Sequence, residues 1–77
     1  MIRKKKQERE LTKLERRVEA MPTSELIPWT EQYLYSVGRN LSSWQKSQDI
    51  AYLEEARVAA EVVHTIVESL KRRNVNV

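Results

Sequence analysis

Ile50 to Arg73 reads IAYLEEARVAAEVVHTIVESLKRR, and the spacing of its apolar residues decides the fold. Leu53, Ala56, Ala60, Val63, Val67 and Leu70 alternate steps of three and four, which marks one face of an α-helix. Tyr52, Ala59, Val62 and Ile66 broaden that face. Lys71, Arg72 and Arg73 fall in the last turn, where cations suit the negative end of the helix dipole. A helix of this length spans ~36 Å. Asn74 to Val77 reads as a loose tail.

Toward the N-terminus, Gln45-Lys46-Ser47-Gln48 is a short polar connection, with Asp49 or Ser47 placed to cap the helix that begins at Ile50. Before it, Ile27, Leu34, Val37, Leu41 and Trp44 fit the same repeat, with Thr30 as its polar member. Leu26, Trp29 and Tyr33 widen the stripe. Thr23 and Ser24 are N-cap candidates, and a cap at Ser24 would place Pro28 in the first turn, where its ring costs least. Gly38 could end this helix, but the stripe keeps its phase across it. The spacing therefore predicts a continuous helix, with Gly38 as a small residue at a close contact and a cost of ~1 kcal/mol against Ala.

Two long helices joined by so short a connection must be antiparallel neighbours. The expected fold is all-α: an antiparallel hairpin over residues 23–77, preceded by a basic helix or arm over residues 1–22. In that first segment Leu11, Leu14, Val18 and Met21 form a narrow apolar seam from about Arg3 to Met21. After Met1, only Ile2 is apolar ahead of Leu11, so the early turns have little to bury. Pro22 ends the segment, because the residue before a proline is driven out of the α region.

Composition narrows the function. At 77 residues, with one Gly, two Pro and no Cys, the chain has room for a single core and no disulfide framework. The absence of cysteine also excludes a zinc–thiolate site and a thiol nucleophile. No apolar run approaches the ~20 residues that span a bilayer. The basic start at Arg3 to Lys6 is followed by Gln7-Glu8-Arg9-Glu10 rather than an apolar run, so a cytoplasmic protein is expected. Charge is uneven: residues 1–20 hold eight Lys or Arg against four Glu, the remainder six against seven Asp or Glu. Arg3, Lys4, Lys5, Lys6, Arg9, Lys13, Arg16 and Arg17 therefore form a candidate surface for an anionic partner. A solvated helix with Glu–Lys pairs, and sequence-tolerant contact with a nucleic-acid backbone, are both open readings of that surface.

Catalytic constellations are scarce: one His, no glycine-rich phosphate loop and no nucleophile motif. Glu61-x-x-His64 is the one suggestive spacing, with Glu31 on the preceding helix as a further carboxylate. The arrangement is similar to the hairpin of encapsulated ferritins, and that resemblance implies a di-iron carboxylate site completed by dimerisation. Arg57, Glu61, His64 and Glu68, however, make one polar row beside the seam. An arginine there suits Arg57–Glu61 and His64–Glu68 ion pairs on a solvated flank, so no metal and no cofactor are expected.

Among the aromatics, Trp29 near the Pro28 corner and Tyr35 off the stripe are candidate interface anchors. The function expected from the sequence is non-enzymatic. The chain would be a helical interaction module that oligomerises or docks on a larger assembly through Ile27, Leu34, Val37, Leu41, Trp44, Leu53, Ala56, Ala60, Val63, Val67 and Leu70. Its partner is another protein or a second copy. A nucleic-acid-binding accessory protein, working through the basic first segment, is the alternative.

Overall fold

The computed structural model describes residues 12–74. Within them lie three helices: α1 (Lys13–Ala20), α2 (Thr23–Ser47) and α3 (Ile50–Asn74). The all-α hairpin with an extra N-terminal helix is the observed architecture.

α1 is shorter than the periodicity predicts, and its start has a local cause. Thr12 is extended and closes a capping box with Glu15. The Glu15 N–H donates to Thr12 Oγ1 at 3.1 Å, and the Thr12 N–H donates to Glu15 Oε1 at 2.8 Å. Each partner satisfies a backbone N–H that helix formation would leave unpaired, so the helix nucleates at Lys13. Of the helix or arm expected over residues 1–22, the described part is thus helical from Lys13; residues before Thr12 lie outside the described residues. At the other end Met21 is extended, as the following Pro22 requires.

α2 begins one residue earlier than its capping residues suggest. Pro22 is the N-cap without a side-chain bond, its carbonyl accepting from the Glu25 and Leu26 N–H groups. Thr23 and Ser24 are therefore already helical, and Pro28 stands beyond the first turn. It has no N–H to give the Ser24 carbonyl, a bond the helix does without. The helix runs unbroken through Gly38, in agreement with the phase of the stripe. Apart from its own stretch of helix, nothing among the described residues lies within 4 Å of where a Cβ at Gly38 would sit, so the expected close contact is absent there.

The connection is tighter than Gln45–Gln48. Gln48 takes a left-handed conformation (φ 65°, ψ 18°), and its N–H donates to the Trp44 carbonyl at 2.6 Å. Asp49 then caps α3, its Oδ1 accepting from the Ala51 N–H at 3.0 Å. At the open end of the hairpin the Arg73 guanidinium donates to Thr23 Oγ1 at 2.9 Å, joining the finish of α3 to the start of α2.

The buried core is small. Val18, Leu26, Val62 and Ile66 form it, with Leu14, Met21, Trp29, Tyr33 and Leu70 packed around them. One large apolar residue from each helix is fully enclosed: Val18, Leu26 and Ile66. α1 therefore packs at home, on the flank of the hairpin where Leu26 and Ile66 meet.

Candidate interaction surface

The position of α1 decides which apolar residues are buried and which are left outside. In α3 the enclosed row is Ala56, Ala59, Val62, Ile66 and Ser69. The seam expected from spacing lies about one residue further round, and only its Ala56 is fully inside. Ala60 and Val67 are exposed, while Leu53, Val63 and Leu70 are not all enclosed alike: Leu53 and Val63 are half-buried and Leu70 packs against the core. α2 behaves alike. Leu26 is enclosed, Val37 and Trp44 are half-buried, and Ile27, Leu34 and Leu41 are exposed. The single chain thus covers only part of the expected interaction seam. A helix on one side of a hairpin draws burial toward that side, and the row on the opposite side stays outside.

The residues left outside share one surface. Ile27, Leu34 and Leu41 repeat every seven residues, so they form one line along α2. Ala60 and Val67 form the matching line on α3, continued by half-buried Leu53. Counted from the turn, Leu34 and Val63 are equally distant, as are Ile27 and Leu70, so the lines run side by side across the hairpin. Four large aliphatic side chains stand out on it: Ile27 and Leu41 at 45% exposure, Leu34 at 55% and Val67 at 42%. A groove of about 440 Å³ opens at its end between Thr23, Val67, Leu70 and Lys71. Contiguous exposed apolar surface of this kind marks interaction sites in small domains.

The candidate aromatic anchors separate. Trp29 is not free: it packs against the core, meets Tyr33 edge-on at 5.6 Å and carries the Arg17 guanidinium over its ring at 5.6 Å. Tyr35 is exposed, with Arg39 over its ring at 5.7 Å. It borders a second, polar groove with Ser36, Asn40, Ser43 and Tyr52.

At the open end, two basic residues of α3 are already used. Arg72 is ion-paired with Glu19 of α1. Arg73 donates to the Val18 carbonyl at 3.0 Å as well as to Thr23, so it fastens all three helices. The hydrogen bond from Arg72 holds the Glu19 carboxyl below its usual 4.5 against the desolvation that raises it, with smaller help from Ser69 and from the Arg72 and Arg73 charges. Ser69 Oγ is buried near Glu19, with no partner at hydrogen-bond geometry among the described residues. Lys13, Arg16 and Arg17 lie on α1, whereas Arg3, Lys4, Lys5, Lys6 and Arg9 lie outside the described residues. The role of Arg73 was not legible in the sequence, where it is one cation in a terminal cluster. Its partners are fifty and more positions away.

The Glu61-x-x-His64 row takes the ion-paired form in part. Arg57 bridges Glu54 at 2.8 Å and Glu61 at 3.3 Å, and its bond lowers the Glu54 pKa while raising its own. Glu68 pairs with Lys71 at 3.5 Å rather than with the expected His64. Among the described residues no group of three or more His, Asp or Glu lies close enough together to hold a metal. Nor is any described helix long and apolar enough to cross a membrane.

The fold thus places the chain among small helical hairpins carrying one additional helix. No family model, curated protein or solved structure matches it.

Proposed function

We propose that this protein is a small, non-enzymatic interaction module that binds another protein chain through the face of the hairpin opposite α1. The observation that carries the reading is the heptad line Ile27, Leu34 and Leu41, unburied although its spacing is that of a helix–helix seam. Fully burying such side chains is worth ~1.5–3 kcal/mol each, so a partner helix gains where solvent now stands.

The nucleic-acid alternative draws on the basic first segment, of which Lys13, Arg16 and Arg17 lie among the described residues, and Arg17 is engaged over the Trp29 ring. That alternative retains one clear signature, an affinity that falls steeply with salt.

A photo-reactive residue at position 34, compared with one at the exposed polar position 46, tests the main reading in cells making the protein. Position 34 is expected to yield a discrete cross-linked adduct, to a second copy or to another chain, and position 46 none. Equal labelling at both positions, or no adduct at 34, defeats the proposal.

A further inference from the structure

We propose that the exposed face pairs with the same face of a second copy, about a two-fold axis parallel to the helices. This rests on the interaction-module reading and names its partner. The product is a four-helix core in which α2 of each copy lies on α3 of the other, every neighbour antiparallel.

Area is the first argument. α2 and α3 each have 25 residues. They present a face ~37 Å long and two helix diameters, ~20 Å, across. That footprint approaches the ~800 Å² per partner of a standard stable interface. The aliphatic line of one copy also supplies what the other lacks, since one face carries both large ridges (Leu34, Leu41) and a low waist. Gly38 lies one helical turn from each of those leucines, equally distant from the turn with Ala59 and beside Ala60. A glycine weakens a helix interior. Within the described residues nothing approaches Gly38, so its small size is unexplained until a second helix passes over it.

Charge fixes the axis. The middle of the face carries no charged side chain. On its α2 rim the helical period places one acid, Glu31; on its α3 rim it places Arg57, His64 and Lys71, of which Arg57 and Lys71 also pair with acids of their own helix. Counted from the turn, Glu31 is level with Ile66, two residues from His64. With the axis parallel to the helices, Glu31 faces His64 and Lys71 of the second copy. With the axis perpendicular, like rims would meet, acid on acid and base on base. An isologous interface repeats each such contact twice, so the difference counts double.

Sedimentation of the full chain across the micromolar range, together with rim cross-linking, tests the proposal. The chain has no cysteine, so introduced thiols are unambiguous. Glu31→Cys and His64→Cys chains, mixed and treated with a short bis-maleimide, should give a linked dimer that neither variant gives alone. Leu34→Asp, at an already exposed site, should raise the dissociation constant by at least about tenfold while leaving helicity intact. Gly38→Leu should likewise weaken the dimer, yet make the separated chain more helical. A monomer at every concentration overturns self-pairing, even where a probe at position 34 captures a different protein and the interaction-module reading stands. A dimer indifferent to Leu34→Asp, or one in which each cysteine variant links to itself, overturns it as well.

Discussion

At the scale of single residues, neighbours in sequence have opposite fates. Ile66 is fully enclosed between α1 and α2, while Val67 beside it is 42% exposed. Ile66→Ala removes buried methyl groups and leaves a cavity, so it should cost ~2–5 kcal/mol of unfolding free energy. Val67→Ala should cost under ~1 kcal/mol when measured at a dilution where the chain is monomeric. Urea denaturation of both variants checks the pair, and equal losses would mean that the buried row is misplaced. The turn offers a second test. Gln48 holds a left-handed backbone that costs a non-glycine residue ~1–2 kcal/mol, partly offset by its side-chain amide donating to the Gln45 carbonyl at 3.2 Å. Gln48→Gly should therefore raise stability by a few tenths to ~1 kcal/mol, moving the urea midpoint upward with no change in slope. A downward shift would show that the amide contact outweighs the backbone strain.

At the scale of the element, α1 is the piece whose stability is separable. Eight residues cannot hold a helix in water by themselves, so α1 depends on its cap and on its dock. Thr12→Ala breaks the capping box and should lower stability by ~1 kcal/mol, read as loss of α1 protection in amide exchange. The dock also responds to pH. The folded Glu19 pKa lies below the unfolded value of 4.5, so the ion pair contributes fully above that value. Its contribution is lost as pH falls through 4.5 toward the folded pKa, when the carboxyl protonates and releases Arg72. Trp29, which packs beside α1, reports this in a Trp44→Phe background. Acid titration should show a fluorescence change that is reduced in Glu19→Gln. Superimposable curves for the two proteins would detach Glu19 from the docking of α1.

For the whole molecule, the balance between buried and exposed apolar surface is the governing fact. The enclosed side chains are few, and several of the largest aliphatic ones stand outside. A chain of this size buries a smaller share of its surface than a larger domain does, and is correspondingly marginal alone. If pairing supplies the remainder, the melting temperature must rise with protein concentration, because the dimer is favoured by mass action. Leu34→Asp should flatten that dependence. A melting temperature that is constant across a hundredfold dilution would show that the single chain carries its own stability.

Much of this architecture is written in the sequence, for reasons that are local. The steps of three and four from Leu53 to Leu70 define a helix, the phase kept across Gly38 makes α2 continuous, and Asp49 caps α3. The Thr12–Glu15 capping box has the required spacing too, but the apolar period passes over it, and it marks the start of α1. Period alone, however, identifies a stripe without saying which half of it is covered. That choice fell to α1, whose Val18 sits on Leu26, Val62 and Ile66 and so turns burial away from Ile27, Leu34, Leu41, Ala60 and Val67. The contacts that hold it there, Arg72 to Glu19 and Arg73 to Val18 and Thr23, join residues fifty or more positions apart. Backbone propensity and spacing act over a few residues, so the sequence determined the helices. Burial depends on what packs from elsewhere in the chain, so only the tertiary structure decided which face remains open.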